Sequence, residues 1–249
     1  PSTMSAELLE CLFVVRKPIL EALMKRVKAL GRTPSPHHTL LVGPRGAGKT
    51  HLISLVYHRC KSLGKTGDGK PLRIAWLPED PWTLVSYGRL LAAILERVVP
   101  DFDNQKIAEP ELDAHIRHTS REDGPILVLA ENLDQILEAL GDSGQQKLRN
   151  LLQTEPDILV IATTTRLDRS LSAHAPFFGF FDTIRLDPFS PEEAREMLTT
   201  LAREANNSEL AKRLSDNESL ARIHTIAHLA GGQPRLWALL GSALTVEDL

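Results

Sequence analysis

Hydrophobic residues recur at helical spacing over residues 6–30, with Leu8, Leu12, Val15, Ile19, Leu23 and Val27 on one face. Pro18 falls inside that stretch, where it is expected to kink or split the helix. Residues 31–36 carry glycine and prolines and break the pattern. Residues 39–42 then form a short apolar run closed by Gly43, which predicts a first buried strand. Four more strands are predicted over residues 72–77, 126–130, 158–163 and 183–186. Helical patterns lie between them, over residues 51–62, 84–99 and 145–153, with another carrying Ile136, Leu137 and Leu140. Strands that alternate with helices in this way predict a mostly parallel sheet buried on both faces.

After Pro188 the pattern becomes purely helical. Ser190, Pro191, Glu192 and Glu193 give a helix-start signal, a hydroxyl at the cap and acids in the first turn. The remaining stretch to Leu249 is too short for a second α/β unit and reads as a helical lid. Three segments are expected: an N-terminal helix and linker over 1–35, an α/β nucleotide-binding domain over 36–189, and the lid over 190–249.

The run Gly43-Pro44-Arg45-Gly46-Ala47-Gly48-Lys49-Thr50 fits G-x-x-x-x-G-K-[ST] without a mismatch. An apolar strand precedes it and a helix follows, as a P-loop requires. Glycines let backbone N–H groups point inward at phosphates. Lys49 offers a point charge to the β- and γ-phosphates, Thr50 offers a hydroxyl to Mg²⁺, and the helix N-terminus faces the same anion. His51 follows directly and is grouped with residues 43–50 as nucleotide-binding. ATP and Mg²⁺ are thus the expected cofactors.

A second constellation is the apolar strand 126–129 running into Ala130-Glu131-Asn132-Leu133-Asp134. A carboxylate at a strand's C-terminal end suits a Mg²⁺ contact. Glu131 is the first choice and Asp134 the reserve, the latter also suiting an N-cap for the helix after it. Residues 159–162 lead into Thr163, Thr164 and Thr165, hydroxyls that suit a strand end or a contact with a γ-phosphate or water. Gly231-Gly232-Gln233-Pro234-Arg235 separates two helical patterns, glycine ending one and proline starting the next. That turn would aim Arg235.

Other features carry less. Cys11 and Cys60 make no disulfide framework and read as reduced thiols. His224 and His228 have i, i+4 spacing, but Thr225 stands where H-E-x-x-H needs glutamate, so a metal site is not expected. Trp76 and Trp82 read as packing residues. Residues 1–75 hold 13 Lys/Arg against 4 Asp/Glu, a net +9, and the remainder holds 16 against 28, a net −12. A basic segment around a phosphate site is a candidate DNA contact, though no aromatic–basic interleaving strengthens it. No apolar run reaches about 18 residues, the length needed to span a bilayer, so no membrane contact is expected. The opening residues show no secretory pattern, and the expected location is cytoplasmic. With Pro1 in place of a starting Met, the sequence is expected to carry a remnant of an added segment or to be an excised fragment, so its true ends stay open.

In their order and spacing these pieces resemble an AAA+ module, most like the STAND and origin-recognition ATPases, over residues 36–249. The resemblance implies an α/β P-loop NTPase fold, a mostly parallel five-stranded sheet between helices followed by a small all-helical lid. It makes residues 43–50 the Walker A box. It maps 126–134 onto Walker B, with Glu131 on the magnesium side and Asn132 where a glutamate normally activates water. A shifted register would instead put Glu131 in the base role. Thr165 matches sensor 1 and Arg235 the sensor 2 arginine. The Arg-Phe pair that often carries an arginine finger reads Phe180-Phe181 here, and Arg166, Arg169 and Arg185 remain open as substitutes. Both departures imply a slow ATPase that works as a switch, with homo-oligomers or a partner protein as its output. The alternative implied is a DNA-binding regulator of the replication-initiator or transposition type.

Overall fold

The structure is a computed structural model, and it describes residues 7, 9–10, 13–77, 84–103, 107–166 and 175–245. For residues 217 and 228–230 only the backbone is described. Leu8, Cys11, Leu12, Trp82 and Arg169 lie outside the described residues, and so does the side chain of His228.

Five parallel strands form one sheet: β1 (Thr39–Val42), β2 (Arg73–Trp76), β3 (Ile126–Ala130), β4 (Ile158–Thr164) and β5 (Asp182–Arg185), in the order β2-β3-β4-β1-β5. The sequence places them correctly to within a residue or so. Every residue of β3 and β4 is buried, which is why both read as unbroken apolar runs. The edge strand β5 is largely exposed and carries Asp182 and Arg185. In register, Val42 pairs with Thr164 and Ala130 with Ala162, so β1, β3 and β4 finish at one edge of the sheet.

The first helix, α1, spans Lys17–Ala29. The helix expected over 6–30 is therefore split: residues 13–16 are not helical, and Pro18 sits in the first turn of α1, where its missing N–H costs nothing. Next come α2 (Lys49–Leu63), α3 (Tyr87–Val98), α4 (Glu109–His118) and α5 (Leu133–Thr154). Helix α5 breaks at Gly141 (φ 60°, ψ 177°) and joins two stretches that the sequence separates. The N-cap of α5 is Asn132, not Asp134, which lies inside the first turn. Four further helices follow: α6 (Pro191–Glu204), α7 (Ser208–Arg213), α8 (Asn217–Ala230) and α9 (Pro234–Ala243). The expected start of α6 is a full capping box. Glu193 N–H donates to Ser190 Oγ at 3.2 Å, and Ser190 N–H donates to Glu193 Oε2 at 2.7 Å.

The chain divides into two compact units. One holds residues 21–42 and 56–185, which include the sheet. Its core packs Leu91, Leu95, Ile116, Leu137, Leu151 and Phe177 around the strands. The other holds residues 1–20, 43–55 and 186–249, with a separate core around Trp237, Leu198, Leu214 and Ile223. Among the described residues no helix is long and apolar enough to cross a membrane.

Candidate functional site

Residues 43–50 form a loop that leaves β1 and enters α2 at Lys49. Gly46 (φ 81°) and Gly48 (φ 85°) are both left-handed, a conformation costly for any residue with a Cβ. That backbone turns successive N–H groups to one side. Lys49 is buried, and its Nζ donates to the carbonyls of Gly43 at 2.6 Å and Pro44 at 2.9 Å. The ammonium thus lies against the loop's own backbone at the start of α2. Arg45 and Pro44 are exposed, and Thr50 is half-buried.

The Gly231-Arg235 turn belongs to the same compact unit and meets the loop directly. The Arg235 N–H donates to Gly46 O at 3.4 Å, and a Cβ placed on Gly46 would lie 3.1 Å from Gln233 Oε1 and 3.5 Å from Arg235 Cβ. Gly231 (φ 64°) caps α8 and Gln233 caps α9, with Pro234 in its first turn. Gly232 allows a close approach: a Cβ there would stand 2.7 Å from Phe189 O. Phe189 N–H also donates to Gly232 O at 2.7 Å. So the turn is fixed at one end to the Phe189 backbone and at the other to the phosphate loop.

Two further side chains contribute to this unit: Arg16, which the sequence does not single out, and His51, which it groups with the loop. Arg16 donates from Nη1 to Ala47 O and from Nη2 to Asp187 O at 2.5 Å, with its guanidinium 5.0 Å from the centre of the Phe189 ring. Burial lowers the Arg16 pKa, an effect that Glu193 and Asp187 oppose. His51 shares a hydrogen bond with Leu9 O at 2.8 Å and packs its ring against Phe13 at 5.5 Å. Burial lowers its pKa too. A small open cleft lies beside the loop, lined by Phe13, Val15, Arg16, Gly48, Phe189 and Pro234 among others.

The remaining candidates lie in the sheet unit. Glu131 is buried directly after β3. Asn132 adopts the left-handed conformation (φ 52°, ψ 51°), which asparagine tolerates better than most residues. Its N–H donates to Thr163 Oγ1 at 3.3 Å, tying the exit of β3 to the last turn of β4. Thr163 is therefore occupied with backbone. Thr164 is fully buried and donates to Arg166 O at 2.8 Å, which shapes the bend at Thr165. Thr165 is half-buried and Arg166 exposed. One oxygen of Asp134, Oδ1, is buried without a hydrogen-bond partner.

Phe180 and Phe181 are packing residues. Phe180 stacks on His38 at 4.9 Å and lies under Arg149, and both rings meet Phe177. Arg185 is exposed at the end of β5. Trp76 packs against Tyr57 at 5.1 Å, and His224 faces Glu192 at 3.6 Å. Cys60 is a buried free thiol, its pKa pushed up to about 12 by desolvation.

A β2-β3-β4-β1-β5 parallel sheet, a P-loop after β1 and a helical C-terminal part give this chain the fold seen in AAA+ P-loop ATPases. No family model and no curated protein sequence matches it. Among solved structures it is similar to the Walker-type ATPase PABY2304 of Pyrococcus abyssi, with 17% identity and a TM-score of 0.59 over 91% of this chain and 66% of that one. It is similar also to the Aeropyrum pernix ORC2 protein in its ADPNP-ADP complexes, with 13% identity and a TM-score of 0.62 over 93% and 69% of the two chains. C. elegans PCH-2 gives 16% identity and a TM-score of 0.61 over 96% and 65%. The chain spans 66% of the Pyrococcus protein and 53% of the Aeropyrum pernix ORC1 protein solved in complex with DNA. At these identities the likeness speaks for the fold.

Proposed function

We propose that this chain is an ATP-binding module that acts as a nucleotide-dependent switch with slow hydrolysis, gating self-assembly or the binding of a partner. The observation that carries the reading is the loop over residues 43–50, with its two left-handed glycines and a buried lysine at the start of a helix. Inward N–H groups, an ammonium and a helix N-terminus are the donor chemistry of a polyphosphate site. The Thr50 hydroxyl and the Glu131 carboxylate are hard oxygen donors, which suit Mg²⁺ better than softer metals. The aromatic and apolar wall of the cleft, Phe13, Val15, Phe189 and Pro234, suits a purine face.

In this reading residues 43–51 bind ATP or ADP, and Lys49 balances the phosphate charge. Bound ATP supplies the γ-phosphoryl group whose presence or loss separates two states. Arg235 and Thr165 respond to it, Arg235 through a turn already hydrogen-bonded to Gly46. Asn132 orients a water but has no basic atom to take its proton. General-base help is commonly worth about 10²–10⁴ in rate, so turnover is slow. The nucleotide-binding and lid segments proposed are residues 36–189 and 190–249.

A second reading is a DNA-binding regulator. It draws on the net +9 of residues 1–75 and on similar structures described as bound to DNA, the Aeropyrum pernix ORC1 protein and Drosophila ORC. A salt-dependent shift of DNA mobility that requires ATP would favour it.

The test is ATP binding and turnover, with and without DNA, for wild type and Lys49→Ala. Wild type is expected to bind Mg-ATP, and Lys49→Ala to lose about 100-fold in affinity, the scale of one or two charge-assisted hydrogen bonds. Equal binding by Lys49→Ala would sink the proposed site.

A further inference from the structure

The Arg16 guanidinium reaches two carbonyls that are far from it in sequence, Ala47 O and Asp187 O, and lies over the Phe189 ring. One of those carbonyls belongs to the phosphate loop. A trans peptide is planar, so its C=O and the following N–H point in opposite directions. Fixing Ala47 O therefore fixes the Gly48 N–H on the other side of the same plane. Gly48 has a φ of 85°, one of several a glycine adopts readily, so the residue itself does little to hold the Ala47–Gly48 peptide in one orientation. A cation on the outer carbonyl removes that freedom.

We propose that Arg16 is a positioning residue that locks the Ala47–Gly48 peptide so that the Gly48 N–H faces the phosphate cradle. This rests on the nucleotide reading of residues 43–50 given above. The group is suited to the task. A guanidinium is a rigid planar fork that serves two acceptors at once, whereas an ammonium is a point donor on a flexible stem. The second arm, on Asp187 O at 2.5 Å, holds the fork in place, and the Phe189 face supports it from one side. Arg16 directly precedes α1, whose first residue is Lys17. The contact also links the segment before α1 to the phosphate loop.

The test uses the full chain with Arg16→Gln and Arg16→Lys. Fluorescent (methylanthraniloyl) ADP, ATP and adenosine serve as probes, and the ¹⁵N-resolved Gly48 amide proton is followed during ADP titration. Arg16→Gln is expected to weaken ADP and ATP about tenfold each, the scale of one charge-assisted hydrogen bond, and to leave adenosine binding unchanged. The downfield movement of the Gly48 amide on ADP binding is expected to shrink. Arg16→Lys is expected to recover part of both. If Arg16→Gln does not fold, Arg16→Lys alone must show a loss confined to the phosphate-bearing probes. Wild-type ADP affinity and an unchanged Gly48 shift in a folded Arg16 variant would overturn the proposal, and so would an equal loss for adenosine. If in that case Lys49→Ala still abolishes binding, the ATP site stands and only the role of Arg16 falls. A wild type that binds neither ADP nor ATP removes both.

Discussion

At the end of the sheet where β3 and β4 begin, the Glu155 side chain is fully buried between Arg117 and Arg121, each at 2.6 Å. Arg117 also pairs with Asp113 at 2.5 Å, and Tyr87 donates to the other Asp113 oxygen. Beside β1, the buried His38 accepts the Val160 N–H at its Nδ1 at 3.1 Å. At the end where the same strands finish, Glu131 is buried next to a left-handed Asn132, and β1 passes into the loop of Gly46 and Gly48. The first end spends its charged groups on one another. The second holds its backbone in left-handed conformations at Asn132, Gly46 and Gly48, and the C-terminal ends of parallel strands are where α/β sheets generally bind ligands. Changes at the first end should alter stability and leave nucleotide chemistry alone, and changes at the second should act mainly on nucleotide chemistry.

The largest break in that contrast is expected from Asn132→Glu. Adding a general base should raise ATP turnover by about 10²–10⁴. ATP affinity should hold within a few-fold. Glutamate in a left-handed position is strained, so stability should fall by about 1 kcal/mol. Steady-state phosphate release with a parallel urea titration measures both, and unchanged turnover would show that Asn132 does not hold the base position.

At the opposite end, Glu155→Gln removes a buried carboxylate from two arginines. Breaking a buried pair costs about 3–5 kcal/mol, and the partial exposure of Arg117 and Arg121 keeps this case near the lower figure. Nucleotide affinity measured below the new melting point should not change. A variant as stable as wild type would remove the structural role assigned to Glu155.

A smaller effect is expected from acid. Burial pushes the His38 pKa down to about 4, opposed by a bond to the Leu152 backbone and by Asp182. The unfolded chain therefore binds a proton that the folded chain refuses between about pH 6.5 and pH 4. Stability falls as pH drops through that window, by about 1 kcal/mol per unit. Denaturant midpoints at pH 7, 6 and 5, compared with His38→Gln, isolate this group. The same slope in both proteins would contradict it.

The sheet was legible because buried parallel strands are continuous apolar runs, and Ile126–Ala130 and Ile158–Thr164 are nearly that. Helix α4 was not read, because it buries only Leu112 and Ile116 and is held by polar ties such as Asp113–Arg117. The helix before β1 was overextended, because periodicity counts Val15 but does not see that Arg16 is pulled to the phosphate loop. The phosphate loop itself is a local signal and is evident from eight residues. Arg16 had no such signal: its partners lie 31 and 171 residues away, and next to Lys17 it looks like one more surface cation. Asn132 was seen as a departure from a motif, but its left-handed backbone and its bond to Thr163 Oγ1 belong to tertiary structure.

Under the proposed function, this site holds ATP better than it cleaves it. A single-turnover experiment tests that directly, with protein in excess over γ-labelled ATP and Mg²⁺ and the complex quenched over time. The expected result is that the label is bound promptly and is recovered as intact ATP after minutes. Conversion of the bound label to phosphate within seconds would contradict it, and so would a failure to bind the label at all.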